Sequence, residues 1–263
     1  MIGYSALGVG LLGVAACASD SGVTTTLGGA ATTMGGATTA AGSGTTAAAG
    51  GGSGQCEVIP EETAGPYPGD GSNGPDVLVE SGVVRSDIRT SIGAYSGTAE
   101  GVPLVIRFSL QDATNGCVPL AGAAVYAWHC DREGQYSLYT LTTENYLRGV
   151  QETDADGIAS FVTVFPGCYA GRWPHVHFEV FPSLALATDD ANKIATSQIA
   201  LPEKACTAVY ATAGYEQSII NMGQVSLAGD GVFGEDGGVR QLGIATGSVE
   251  TGYEVELVVP VSA

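Results

Sequence analysis

His175 and His177 stand two residues apart in the run Arg172-Trp173-Pro174-His175-Val176-His177. In an extended strand, side chains two apart leave from the same face, so the two imidazoles project side by side. Neutral imidazoles converging from one strand are half of a metal site. Tyr169 lies just upstream, beyond a Pro166-Gly167 turn that ends the apolar run Phe161–Phe165, and Arg172 sets a fixed positive charge between them. A second tyrosine, Tyr136, closes another turn signal at Gly134-Gln135-Tyr136. Two phenols and two imidazoles suit a hard, oxidised iron, because anionic oxygen ligands favour the higher oxidation state.

The same residues sit in an ordered series of motifs that resembles the intradiol ring-cleavage dioxygenases, non-haem Fe(III) enzymes that open catechols between their two hydroxyls. Trp128-His129-Cys130-Asp131-Arg132-Glu133-Gly134-Gln135-Tyr136 is similar to the family's strand-turn segment with the first iron tyrosine. The stretch from Tyr146 to Asp154, with Gly157, resembles the family's next segment along the chain. Pro166-Gly167-Cys168-Tyr169 resembles the second tyrosine motif, and Arg172 to His177 the arginine and histidine-pair motif. Thr196-Ser197-Gln198 falls where the family carries a glutamine. Gly65-Pro66-Tyr67-Pro68 and Arg85-Ser86-Asp87-Ile88 resemble the segments before the core, so the resemblance spans roughly residues 56 to 215.

The resemblance implies that Tyr136, Tyr169, His175 and His177 bind Fe(III). It implies that Tyr169 accepts a substrate proton, that Arg172 stabilises charge developing on the ring, and that Gln198 helps orient it. The substrates implied are a catechol-type aromatic and O₂, and the product is a muconate-type diacid. Trp173 and Cys168 depart from the residues common in the family, and both are expected to flank the pocket. The Gly-rich N-terminal stretch stands where catechol-type members carry a helical dimerisation segment, so their mode of dimerisation is not expected.

These residues need a scaffold of short strands. Apolar and β-branched runs at Leu104–Leu110, Ala123–Trp128, Ile158–Val164, His175–Phe181 and Glu254–Val259 are separated by Gly, Pro, Asn and Asp. Helical periodicity is absent apart from a short turn over Thr207–Thr212. The expectation is an all-β, prealbumin-like β-sandwich over residues 55–263, with long loops carrying the metal site. His129 points to the opposite face from Trp128 and Cys130 and is read as hydrogen-bonded rather than ligating. Glu179 continues the face of the histidine pair and is read as a rim charge.

The first 17 residues hold a short apolar run ending in Val14-Ala15-Ala16-Cys17. That run is too short to span a bilayer, and it resembles a bacterial lipobox, with Cys17 as the lipidated residue. No Lys or Arg precedes Arg85, so the positive start usual in a signal is missing. Residues 18–54 are almost wholly Gly, Ala, Ser and Thr, the composition of a flexible linker that would span about 30 Å. Together these predict export, with a membrane-anchored or secreted domain.

Nine basic against 27 acidic residues give a net charge of −18, which excludes nucleic acid as a partner. Export makes disulfides plausible among the five cysteines beyond Cys17. Pairs Cys117–Cys130 and Cys168–Cys206 are the first expectation, leaving Cys56 free, and no Cys-x-x-Cys spacing suggests a thiolate metal site. A different class of function, a non-catalytic β-sandwich binding module tethered to the surface, would need no joint presence of Tyr136, Tyr169 and the histidine pair. A cupin-type Fe(II) site is disfavoured because its glutamate normally lies further beyond the His-x-His pair and a distant histidine follows, which this sequence lacks.

Overall fold

A computed structural model describes residues 56–263. The expected signal segment with Cys17 and the linker over residues 18–54 lie outside the described residues. Among the described residues nine strands form two sheets: β1 (Pro103–Asp112), β2 (Val118–Pro119), β3 (Ala124–Trp128), β4 (Arg148–Glu152), β5 (Ile158–Val164), β6 (His175–Phe181), β7 (Ala195–Ala200), β8 (Ile244–Ser248) and β9 (Gly252–Val261). In the first sheet β1 pairs antiparallel with β2 and β5 on one side and parallel with β9 on the other, and β8 forms the far edge. The second sheet runs β4-β3-β6-β7, all antiparallel. The expected β-sandwich is what forms.

The strand patterns show how the sheets face each other. Leu104, Ile106, Phe108 and Leu110 of β1 are buried in alternation, as are Val255, Leu257, Val259 and Val261 of β9. These meet Val125 and Ala127 of β3 and Val176, Phe178 and Val180 of β6 in one apolar cluster. Period-two burial of this kind leaves one face of the first sheet to solvent. The second sheet differs, because all seven residues of β6 and all six of β7 are buried. Its outer face, which carries His175, His177, Tyr126 and Trp128, is roofed by the segment around residues 62–80 and by the loops 129–147 and 165–174. The histidine pair therefore points away from the sandwich core and into a covered space.

Two short helices, α1 (Glu203–Tyr210) and α2 (Glu216–Met222), lie beyond β7. The expected turn at Thr207–Thr212 is the C-terminal part of α1 and its cap; α2 has no counterpart among the sequence-based expectations.

Three expectations need correction. The disulfide is Cys56–Cys117, with Cα atoms 5.8 Å apart, while Cys130, Cys168 and Cys206 are free and buried. Cys117 sits in the turn between β1 and β2 at φ 64°, at the end of the first sheet, whereas Cys130 follows β3 of the second sheet, so the sandwich separates the expected partners. Glu179 is not a rim charge: it is fully buried and takes an ion pair from Lys193 at 3.0 Å. The strap over the second sheet, which brings Asp70 within 3.7 Å of the same ammonium, is what covers it. Neither Trp173 nor Cys168 lines the cavity beside the tyrosines: the Trp173 indole N–H donates to the Leu201 carbonyl at 2.9 Å and its ring packs with Ala200, Val232 and Phe233, while Cys168 is buried in the main apolar cluster.

Candidate metal centre

Each side chain of the site is set by a separate local device. Tyr136 is presented by a tight turn in which the Asp131 carboxylate accepts from the N–H groups of Glu133 and Gln135 at 3.0 and 2.8 Å. Gly134 in that turn has φ 81°, and a β-carbon there would stand 3.1 Å from the Tyr169 Cβ, so a side chain would push the two tyrosine loops apart. Tyr169 lies on the 165–174 loop, which α2 holds: the Cys168 N–H donates to Ser218 Oγ at 2.9 Å, and Asn221 Nδ2 donates to the Cys168 carbonyl at 2.8 Å. His175 and His177 leave β6 on one face, as strand geometry requires.

Arg148, fully buried on β4, fastens the roof. Its Nε donates to Ser137 Oγ at 3.0 Å, one terminal nitrogen donates to the Pro68 carbonyl at 2.6 Å, and the other to the Tyr67 carbonyl at 2.9 Å. One guanidinium thus ties the Tyr67 strap and the loop after Tyr136 to the sheet.

The four expected donors come together. His175 Nε2 lies 3.1 Å from His177 Nε2 and 3.1 Å from the Tyr169 hydroxyl. The Tyr136 ring is 5.9 Å from Tyr169 and 6.2 Å from His177, centroid to centroid, and its buried hydroxyl has no hydrogen-bond partner. His175 Nδ1 donates to the Trp173 carbonyl at 2.5 Å, which leaves the lone pair on the inward-facing Nε2. Trp128 stacks on His177 with centroids 4.8 Å apart and planes 6° apart, and Tyr126 stacks on Trp128 in turn.

Burial sets the electrostatics. It pushes the His175 imidazole down to about 3, with Arg172 adding repulsion, and holds His177 well below its usual range. It also pushes the Tyr169 phenol up to about 12 and holds that of Tyr136 well above its usual range. The imidazoles are therefore neutral, and a phenolate at this place needs a cation in contact with it.

Arg172 and Gln198 stand beside this cluster. One terminal nitrogen of Arg172 donates to Gln198 Oε1 at 2.8 Å, and Gln198 Nε2 donates to the Thr63 carbonyl at 2.9 Å. The partner that sequence reasoning missed is Asp230, buried on a distant loop. It accepts from Arg172 Nε at 2.9 Å and from the Trp173 N–H at 2.7 Å. His129 behaves as expected, with Nδ1 2.7 Å from the Cys130 carbonyl and Nε2 2.7 Å from Thr163 Oγ1.

These residues fit a metal. Two donors at a right angle about a metal, each at about 2.1 Å, lie about 3.0 Å apart, close to the 3.1 Å separations seen here. Two neutral imidazole nitrogens and the Tyr169 hydroxyl converge within hydrogen-bond distance, and the Tyr136 hydroxyl buried beside them has no hydrogen-bond partner, which is the donor set a metal would use. Among the described residues no group of three or more His, Cys, Asp and Glu side chains could hold a metal ion. Metal binding would therefore have to draw on the phenols, which again disfavours a histidine–glutamate site.

No protein-family model matches the chain, and a comparison with curated proteins finds no match. Solved structures do match. An intradiol ring-cleavage dioxygenase from Tetranychus urticae aligns with a TM-score of 0.62 and 26% identity, over 78% of this chain and 95% of that one. A further dioxygenase structure aligns with a TM-score of 0.62 and 25% identity, over 78% of this chain and 94% of that one. The chain is thus an all-β sandwich structurally similar to intradiol ring-cleavage dioxygenases.

Proposed function

We propose that the protein is a non-haem Fe(III) intradiol dioxygenase. It opens a catechol-type aromatic between its hydroxyl-bearing carbons and incorporates both atoms of O₂ to give a muconate-type dicarboxylic acid. The observation that carries this reading is the meeting of His175 Nε2 with both His177 Nε2 and the Tyr169 hydroxyl at 3.1 Å, next to an unpartnered Tyr136 hydroxyl. The match to the Tetranychus urticae dioxygenase supports it.

Tyr136, Tyr169, His175 and His177 are the residues that would hold the iron. When bound, Fe(III) supplies Lewis acidity and a template that makes a catecholate reactive towards O₂. The chain's own part is proton and charge handling. Catechol must lose its hydroxyl protons, and the Tyr169 oxygen, on the less buried of the two tyrosines, is the acceptor for one of them. Arg172, pinned by Asp230 and Gln198, offers a fixed positive charge where negative charge develops on the ring, and it needs no reorganisation to do so. Loop packing and burial keep bulk water from the histidine pair.

Export completes the proposal. The lipobox-like segment ending at Cys17 and the Gly/Ala/Ser/Thr-rich linker over residues 18–54 would place residues 55–263 outside the cytoplasm, anchored to a membrane or secreted. A visible spectrum of iron-loaded protein tests the catalytic reading. A red-brown tyrosinate-to-Fe(III) band that shifts with anaerobic catechol and returns with O₂ supports it. Colourless protein unable to hold iron would sink it.

A further inference from the structure

The cavity that opens from Tyr136, Tyr169 and Arg172 is about 420 Å³ in volume. Pockets of about 300–1,000 Å³ enclose drug-sized molecules, so this space exceeds what one dihydroxylated ring needs. Its outer part is lined by Pro66, Tyr67, Gly134 and Thr140.

Tyr67 forms a rigid wall there. Its ring lies 4.9 Å from Tyr136 and 5.1 Å from Tyr139, centroid to centroid. Tyr139 is itself held, accepting from the Gly69 N–H at 2.9 Å and donating to Asn73 Oδ1 at 2.7 Å, while Arg148 grips the Tyr67 carbonyl at 2.9 Å. A wall fixed in this way costs little ordering when a flat or apolar group packs on it.

The charge is as informative as the shape. Arg172 is the one charged residue among the described residues lining the cavity, and its hydrogen bonds go to Asp230 and Gln198. A substrate carboxylate seated between Tyr67 and Thr140 would find no free cation, and burying it unpaired is costly. The chain's net charge of −18 also repels anions at a distance.

From these observations we infer that the site takes catechols bearing a bulky, uncharged ring substituent, which packs against Tyr67, in preference to carboxylated catechols. This inference rests on the ring-cleavage reading.

The test uses the iron-loaded full chain with catechol, 4-phenylcatechol and 3,4-dihydroxybenzoate. Both kcat/KM and the anaerobic dissociation constant, read by tryptophan fluorescence, are measured. The expected result is at least tenfold higher kcat/KM and at least tenfold tighter binding for 4-phenylcatechol than for 3,4-dihydroxybenzoate. Equal or reversed order overturns the inference even if every ring is opened. If no ring is opened, the ring-cleavage reading fails, and the order of the dissociation constants alone decides the substituent preference. A Thr140→Lys variant supplies a cation at the exposed rim. It is expected to move the ratio at least fivefold towards the carboxylate, and an unmoved ratio overturns the charge argument.

Discussion

Trp128 lies flat against His177, with ring planes 6° apart and centroids separated by 4.8 Å. The two residues face each other across the β3–β6 ladder, so backbone register places the indole under the imidazole. His177 Nδ1 has no hydrogen-bond partner, so the stack works with the 3.1 Å contact from Nε2 to His175 Nε2 to set the ring's tilt. The indole N–H is likewise unpartnered, so Trp128→Phe loses no hydrogen bond and keeps a flat face. We expect Trp128→Phe to retain iron. Trp128→Ala should lose about 3–5 kcal/mol of stability and most of the bound iron. Thermal unfolding with iron analysis checks both; iron retained in full by the alanine variant would refute the positioning role.

Tyr136 and Tyr169 should separate in metal-free protein. The Tyr136 hydroxyl has no partner, so Tyr136→Phe is expected to change apoprotein stability by less than about 1 kcal/mol, because no hydrogen bond is lost. The same variant should bind iron poorly. Tyr169→Phe should hold iron but lose part of the visible colour and slow substrate deprotonation. Unchanged colour and turnover in Tyr169→Phe would remove that residue from the site.

Asp230 anchors Arg172 and is fully buried at its side chain. Burial pulls its carboxyl upward, but hydrogen bonds from Arg172 and from the N–H groups of Trp173 and Val232 outweigh that and hold it below the usual carboxylate range. A depressed folded-state pKa means that this stability is present above about pH 4 and is lost as the pH falls through the folded value. Asp230→Asn should cost about 2–4 kcal/mol. It should also lower kcat by about 100-fold through misplacement of Arg172, with KM changing much less. Steady-state kinetics decide the matter, and an effect confined to KM would contradict the anchoring role.

His129 gives a pH signature away from the histidine pair. Burial pushes its imidazole down to about 4, so the folded chain stays neutral where the unfolded chain takes up a proton. This contribution is fully present above about pH 6.5 and is lost as the pH falls, by about 1.4 kcal/mol per unit. Urea titrations between pH 4 and 7 should show a shallower slope for His129→Gln than for the parent chain. Parallel slopes would mean that His129 is already protonated in the folded state.

Much of this is legible in the sequence. The His-x-His spacing fixes a shared face, and the ends of β5 and β6 fall where the apolar runs begin and stop. Strands β4, β7 and β8 are not legible because Arg148-Gly149-Val150-Gln151-Glu152, Ala195–Ala200 and Ile244–Ser248 are polar, small or exposed, and pairing with neighbours rather than local preference makes them strands. Asp230 is hidden too, since it meets Arg172 across 58 residues and no local spacing announces it. Tyr67 stands in the recognisable Gly65-Pro66-Tyr67-Pro68 motif, but its place as a wall of the cavity depends on the strap's path over the second sheet. The expected cysteine pairing fails because spacing along the chain says nothing of which sheet each residue joins.

The Cys56–Cys117 bond closes a loop with a sequence separation of 61. Loop-closure entropy makes it worth about 4 kcal/mol, so a Cys56→Ser, Cys117→Ser double variant should unfold at correspondingly lower denaturant. An unchanged midpoint would show that the unfolded chain gains no freedom from the cut.

That bond also decides where a mechanical load goes. Cys56 is the first of the described residues, and the disulfide joins it to the turn beyond β1, a central strand paired on both sides. A pull along the chain from its N-terminal side is passed across the sulfurs into the first sheet. The strap from Gly65 to Asp70, with the Tyr67 wall, lies downstream of that shunt and carries little of the tension. A domain pulled from that side can in this way keep the shape of the cavity beside Tyr136 and Tyr169.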